Sequence, residues 1–570
     1  MRESKPYVRP RSQESEGDVL IGSNRQVLSE RLVLRNASNS RIIAFHDHEA
    51  NWSNRPFVII PPAYGETKKD HISLAYYLVV NGFNVIRYDN TNNLGESDGT
   101  IEHASLRSML NDLHNMLDAI VVRFGVNEAI VIGTSLAGRV AMKLAAKDKR
   151  IRLLVLLMAV VNVRDTLREV YREDIVGEYL NGKRWGRLDN FGHEIEDAFV
   201  GQILADSFSD LESSIEDLRR VKAPKVFFAA ERDAWISFRD ICFLKGQVTN
   251  LQVETIPGAL HQLQENPRLA REVMRKLVLV CKCEGLKTSV AHVVFDPPIH
   301  DIVYENKREQ QDLKQLSVIT KSGERDFWDD YLRKFTIILR SPDYLDMMSC
   351  MDSLLGHPES GAATLDAGCG AGHYGVWFLS RLLETSRVHT SKTRGNLTYI
   401  GVDYVYRALE QARETHRPLL NRLSDLKIGI PAVSYINCDL EQAVPFAEDQ
   451  FERICCNLVI SYLQKPRELI GELVRVLKRD GKLIVSSLKP FCDLSLIFRN
   501  FIEANGTSRD LEEAKALLSN TGQIRLKESE GHYHFYTEQE LQDLFESAGL
   551  RRIRVFRTLG NQANIVVGVK

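Results

Sequence analysis

Ser135, Asp233 and His261 lie far apart in the chain, yet their types and order suit one task, turning a hydroxyl into a nucleophile. A serine hydroxyl attacks poorly until a histidine takes its proton, and the histidine needs an acid to fix its tautomer. Ser135 sits in Gly133-Thr134-Ser135-Leu136-Ala137, a Gly-x-Ser-x-Gly pattern except that alanine holds the last place. A strand-to-helix turn of this kind strains the serine and demands small residues two before and two after it, which Gly133 and Ala137 are. The helix that follows offers free N–H groups to a developing oxyanion. The N–H of Leu136 is one expected donor, and Ala63 or Tyr64 the second.

Each of these residues needs a strand to hold it. Asn127–Gly133 is a β-rich run ahead of Ser135, and Leu136–Lys147 reads as the helix after it. Phe57–Ile60 precedes Ala63 and Tyr64; Lys225–Ala230 precedes Asp233; Leu251–Ile256 precedes His261. Open α/β sheets build their sites at such strand ends. Glu231 and Glu254 are rival acids, Glu231 early in its turn and Glu254 inside a strand.

The runs NGFNVIRYDNTNNLGESDGTIEHASLRSMLNDL, GTSLAGRVA and VVNVRDTLREVY resemble the acyl transferases of bacterial luminescence operons, thioesterases specific for long-chain acyl carrier protein. The resemblance spans about residues 25–275. It implies an α/β-hydrolase fold, an acyl-enzyme on Ser135 and the triad Ser135, Asp233 and His261, and it makes Ala137 less unusual. Asp165–Asp217, charged and aromatic, falls where such folds carry a lid over the acyl pocket.

A second set of residues begins at Ala363-Thr-Leu-Asp-Ala-Gly-Cys-Gly-Ala-Gly372, a strand running into Gly368, Gly370 and Gly372 before a helix. Glycines at this junction let the backbone approach a ligand closely. The spacing is not the Gly-x-Gly-x-x-Gly of dinucleotide binding, and Asp366 ahead of the loop suits a cationic ligand better than a diphosphate. Asp403 ends the next strand and can accept both hydroxyls of a ribose. Asp403 lies 37 residues beyond Asp366, with SRVHTSKTRGN as the extra length. Asp439 and Leu440 end a third strand and Asn457 a fourth. The set resembles class I S-adenosylmethionine-dependent methyltransferases over roughly 325–570. That implies a Rossmann-like domain in which Asp366 and the glycine loop hold the methionine part, Asp403 the ribose, and Asp439 with Leu440 the adenine. Asn457, Ser461 and Tyr462, and the run His532-Tyr533-His534-Phe535-Tyr536, are candidates for the acceptor side; the last also reads as a strand.

At 570 residues the chain is too long for one core, and its α/β alternation starts twice. The expected division is a flexible stretch 1–24, an acyl transferase or thioesterase domain 25–283, a linker 284–325 and a methyltransferase domain 326–570. With 74 Lys and Arg against 76 Asp and Glu, no basic footprint points to nucleic acid. Nine scattered cysteines show no metal spacing, so no metal is expected and the thiols read as idle in a reducing compartment. No apolar run spans a membrane, which places the protein in the cytoplasm. The joint expectation is a bifunctional enzyme using acyl carrier protein or acyl-coenzyme A, S-adenosylmethionine and a small-molecule methyl acceptor. The alternative is an ester hydrolase fused to a natural-product methyltransferase with an unrelated acceptor.

Overall fold

The computed structural model describes residues 26–285, 293–317, 321–334, 340–388, 397–426, 429–505 and 508–570. The N-terminal stretch 1–24 and most of SRVHTSKTRGN lie outside them. Two sheets organise the chain. The first contains β1 (Leu28–Arg35), β2 (Arg41–His48), β3 (Phe57–Ile60), β4 (Asn84–Tyr88), β5 (Ala129–Thr134) and β6 (Ile151–Leu157). A separate hairpin, β7 (Arg187–Asn190) and β8 (His193–Glu196), interrupts it before β9 (Lys225–Ala230) and β10 (Leu251–Ile256). The order across the sheet is β1-β2-β4-β3-β5-β6-β9-β10, parallel from β4 onward, with β2 antiparallel to both its neighbours. Strands covered on both faces must be apolar throughout. FVII in β3 and the Ala129–Gly133 part of β5 are accordingly buried at every residue.

The second sheet contains β11 (Ala363–Ala367), β12 (Thr398–Asp403), β13 (Ala432–Asn437), β14 (Phe451–Cys456), β15 (Leu477–Leu488), β16 (Arg551–Thr558) and β17 (Ala563–Val569). Its order is β13-β12-β11-β14-β15-β17-β16, parallel from β13 to β15, with β17 antiparallel to its neighbours. An α/β-hydrolase fold is thus followed by a Rossmann-like fold. In each sheet the strand order reverses at one place, between β3 and β5 in the first and about β11 in the second. Crevices open at such reversals, at the carboxyl ends of the strands.

The two halves share packed surface. Within the span expected as linker, Ile299–Lys314 is a helix that buries Glu305 and Glu309, and Glu309 pairs with the buried Arg87 of β4. Between β15 and β16 the second half extends helices Ser495–Asn505 and Ser508–Ser529. Their Phe498, Phe501 and Ala514 join the apolar core of the first half. A Cβ on Gly522 would lie 1.8 Å from the Phe191 carbonyl oxygen in the β7–β8 turn, so this helix meets the hairpin backbone directly. Among the described residues no helix is long and apolar enough to cross a membrane.

Candidate active sites

β5 ends at Thr134 and the helix Ser135–Ala145 begins at once, which forces Ser135 to φ 44°. That left-handed conformation costs an L-residue about 1–2 kcal/mol, and it lifts the hydroxyl off the sheet. The turn closes because helix and strand approach tightly. A Cβ on Gly138 would sit 2.3 Å from the Cβ of Ala159, two residues past β6, and one on Gly133 2.8 Å from the Gly138 Cα. Ala137 is buried without such a clash, so the position that must be glycine is 138 and not 137.

His261 Nε2 lies 3.1 Å from Ser135 Oγ, and His261 Nδ1 lies 2.7 Å from Asp233 Oδ2. Asp233 is fixed by the N–H groups of Trp235 and Ile236, which donate to its Oδ1 at 2.9 and 3.1 Å. An ionised carboxylate only accepts, so the Nδ1 proton faces Asp233 and the Nε2 lone pair faces the serine hydroxyl. Burial alone would depress the His261 imidazole. The charge and hydrogen bond of Asp233, then the charges of Asp493 and Glu66, outweigh it and raise the group above its ordinary 6.5. Neither rival acid reaches His261: Glu231 takes the Gly258 N–H at 2.9 Å, and Glu254 is exposed on β10.

Of the two expected second donors, Ala63 and Tyr64, one is already engaged. The Ala63 N–H donates to Glu66 Oε2 at 2.8 Å, because the chain turns back over three residues and brings that carboxylate onto it. No acceptor among the described residues takes the Tyr64 N–H. Glu66 was not singled out in the sequence. Burial would raise its carboxyl, but His71 and the Ala63 N–H hold it below the usual carboxylate range.

The second half also contributes here. Asp493 Oδ2 accepts the Gln262 N–H at 3.1 Å, one residue from His261, and its Oδ1 accepts the Ser495 N–H at 2.9 Å. Lys489 pairs with Glu265 at 2.6 Å. Phe191 from the β7–β8 turn meets Trp235 from the Asp233 loop edge to face, and Trp235 packs at a tilt on Phe498 from the second half, with ring centroids 5.5 and 6.1 Å apart. The stretch expected as a lid does include this hairpin.

At the carboxyl end of β11 a cavity of about 200 Å³ is lined by Asp366, Gly368, Gly370, Asp403, Asp439, Leu440 and Asn457. Gly372, the third glycine of the loop, lies just outside the lining: a Cβ there would be 2.7 Å from His416 Nε2, which donates to the Gly372 carbonyl at 2.7 Å and braces the loop. Gly368 has φ +76°, and a Cβ on it would strike Val459 at 2.4 Å. Asp403 accepts the Gly370 N–H on Oδ2 at 2.9 Å and the Val405 N–H on Oδ1 at 2.8 Å. Asp366 accepts the Tyr399 hydroxyl at 2.6 Å, and burial pushes its carboxyl up to about 6.

One wall of this cavity comes from the helix Lys321–Lys334, whose Glu324, Arg325, Trp328, Tyr331 and Leu332 face it. These residues were missed because the helix lies apart from the glycine loop in sequence and repeats no motif. On the expected acceptor side, Tyr462 lines the cavity and packs at a tilt against Trp328, ring centroids 4.5 Å apart, whereas Ser461 is buried against Ser487. The run 532–536 is irregular and not a strand: His532 meets Ser317, His534 meets Glu540, and neither histidine lines the cavity.

Residues 21–294 match the family model described as acyl transferase, and residues 358–549 match a methyltransferase domain. The chain is 26% identical over 212 residues to the acyl transferase of Photobacterium phosphoreum, covering 37% of this chain and 69% of that one. It is 29% identical over 203 residues to the acyl transferase of Aliivibrio fischeri, covering 35% and 65%. Among solved structures, Est1E of Butyrivibrio proteoclasticus with bound ferulic acid aligns at TM-score 0.38 and 18% identity, over 44% of this chain and 98% of that one. An acyl transferase-like domain and a methyltransferase domain are therefore fused in one enzyme.

Proposed function

We propose that the chain is a serine acyl transferase or thioesterase for fatty acyl thioesters, joined to an S-adenosylmethionine-dependent methyltransferase of acyl-derived or other small molecules. The observation that carries the first part is the hydrogen-bonded line from Ser135 through His261 to Asp233. In this reading Ser135 Oγ attacks the thioester carbonyl while His261 Nε2 takes the hydroxyl proton. The oxyanion meets the N–H of Leu136 at the helix start and that of Tyr64. Collapse breaks the carbon–sulfur bond, and His261 returns its proton to the leaving thiolate of acyl carrier protein or coenzyme A. Water or another acceptor, deprotonated by the same imidazole, then frees the acyl group from Ser135.

The cavity residues fit a nucleoside carrying a cationic sulfur. Asp403 is held by backbone N–H groups, Gly370 on Oδ2 and Val405 on Oδ1, and its carboxylate keeps acceptor capacity for a ribose hydroxyl. Gly368 and Gly370 leave the floor bare where side chains would intrude. Asp366 would offer a carboxylate to the positive sulfur, and Asp439 and Leu440, also on the cavity wall, would hold the adenine. S-adenosylmethionine, when bound, supplies an electrophilic methyl group. The protein's task is to align an acceptor beside Tyr462 and Asn457 and to exclude water with Trp328 and Tyr331.

The test combines both parts. Acyl carrier protein or coenzyme A thioesters of several chain lengths are added to wild type, Ser135→Ala and Asp403→Ala with labelled S-adenosylmethionine. The expected results are an acyl adduct on Ser135 by intact mass, lost in Ser135→Ala, and donor binding lost only in Asp403→Ala. A wild type that forms no adduct with any thioester refutes the first part; equal donor binding in all three refutes the second. Label in an acyl product identifies the acceptor as acyl-derived.

A further inference from the structure

At the end of the first sheet away from Ser135, two histidines and a carboxylate converge with no role in either site. Glu30 of β1 pairs opposite His46 of β2 across their antiparallel ladder, and His48, two residues on, shares the same face. Both histidines are buried, beside Asn84 and Phe57, the first residues of β4 and β3. One candidate ligand atom on each of Glu30, His46 and His48 lies within 4.8 Å of the other two.

The hydrogen bonds fix which nitrogens are protonated. Asn84 Nδ2 donates to the carbonyls of Trp52 and Arg55, both at 3.0 Å, so its Oδ1 is the atom that faces His46 Nε2 at 3.2 Å. An amide oxygen only accepts, which puts the His46 proton on Nε2 and leaves Nδ1 a bare lone pair. That Nδ1 is buried and has no hydrogen-bond partner, in a residue with no exposed surface. His48 Nδ1 lies 2.9 Å from the Glu49 carbonyl oxygen, so it too must be the donor, and the lone pair of His48 is on Nε2. The two rings stack at 4.4 Å, each anchored through one nitrogen with the other left as a base. Orienting a ligating histidine through its second ring nitrogen is how proteins prepare metal ligands. Trp52, Phe57 and Phe124 pack about His46 at 5.2, 5.4 and 4.8 Å and exclude water from its side of the cluster. Arg123 reaches one oxygen of Glu30 at 3.2 Å and leaves the other free.

We propose that Glu30, His46 and His48 form a binding site for a zinc-type divalent cation, with water in the fourth position. Two imidazole nitrogens and one carboxylate oxygen suit zinc in donor type, and the half-exposed Glu30 provides the entry path. Bound there, the ion ties β1 to β2 at the sheet's margin and serves structure rather than the chemistry at Ser135. These ligands come from two strands that meet only in the folded sheet, so no cysteine-type spacing in the sequence marks them.

The test is zinc titration of the full chain, stripped with chelator, compared with Glu30→Gln and His48→Ala. Glu30→Gln changes an exposed position and keeps the fold, so it remains informative if His48→Ala unfolds. The expected result is one zinc ion bound by wild type beyond any held by the cysteines, with affinity weakened about tenfold or more in Glu30→Gln. Cobalt substitution should give the visible absorption of a tetrahedral N/O site in wild type alone. Equal zinc stoichiometry and affinity in wild type and Glu30→Gln, or no binding by wild type, would overturn the proposal.

Discussion

Replacing Asp233 by asparagine tests the Ser135 site at the point where its geometry is most constrained. Asp233 Oδ1 accepts two backbone N–H groups and Oδ2 faces His261 Nδ1 at 2.7 Å. In Asp233→Asn only the amide oxygen can stay on the two N–H donors, so the side-chain NH2 must turn to His261. Nδ1 then has to accept, the ring proton moves to Nε2, and the atom 3.1 Å from Ser135 Oγ can no longer take a proton. The same tautomer reversal in a serine protease costs about 10⁴ in turnover. At about 1.4 kcal/mol per tenfold, the expected loss here is about 5.5 kcal/mol of barrier stabilisation. The assay is single-turnover thiol release from an acyl-coenzyme A, with donor binding at the second cavity and the denaturation midpoint as controls. A loss smaller than about tenfold in a folded variant would refute the assignment of Asp233 as the acid that orients His261.

Other outcomes follow from the same geometry. Asp493→Asn removes a negative charge that helps raise His261. A base works when deprotonated, so the acidic limb of thiol release should move to lower pH while donor binding stays constant; an unmoved pH profile counts against Asp493. Asp366 carries its charge above about 6 and loses it below. Calorimetric affinity for S-adenosylmethionine should therefore fall as pH drops through that value, and a flat profile from pH ~5 to ~8 would exclude Asp366 as a partner of the positive sulfur. Gly368→Ala places a methyl 2.4 Å from Val459 at positive φ, so donor affinity should fall about tenfold or more with thiol release intact. Ala137→Gly should leave thiol release within about twofold and lower stability by about 1–2 kcal/mol, because the helix gains backbone entropy to lose on folding and a buried methyl is removed.

The elements legible in the sequence are those whose identity is set locally or by full burial. β3, β5 and β9 announce themselves as unbroken apolar runs, and Ser135 sits between one such run and a helix of small residues. Asp403 is legible because it closes a strand. Asp439 lies two residues past Asn437, where β13 ends, since its carboxylate turns the chain by accepting the Glu441 N–H. The failures share a cause, which is that the deciding partner is remote. The alternation in 532–536 mimics a strand, yet Tyr533 reaches Glu324 and the chain runs straight into the capping box of Thr537 and Glu540. The polar stretch 299–314 reads as linker until the buried Arg87 is seen to require a carboxylate from it. Glu66 is a different case: its partner Ala63 is only three residues away, but nothing in the sequence marks that the turn folds this carboxylate back onto that N–H.

The contact between the halves bears on how each site is to be understood. Lys489 and Asp493 belong to the strand end and loop that follow β15, yet their partners Glu265 and Gln262 flank His261. Gln562, the residue before β17, donates to Glu265 at 3.5 Å and accepts the Asp493 N–H at 2.7 Å, which ties that loop to the second sheet. An interaction of this kind fails if either side is absent, because a buried acceptor left unpaired costs about 1–3 kcal/mol. The helix Ser508–Ser529 extends the link: its Ser519 and Gly522 lie on the β7–β8 hairpin, and its Lys527 sits 3.9 Å over the ring of Phe327, next to the cavity residue Trp328. The charge on Asp493 helps set the basicity of His261, so the acyl half cut free of its neighbour would present a different imidazole to its substrate. The two halves are thus joined one residue from His261, and the pH profile of Asp493→Asn decides whether that contact reaches the chemistry proposed at Ser135.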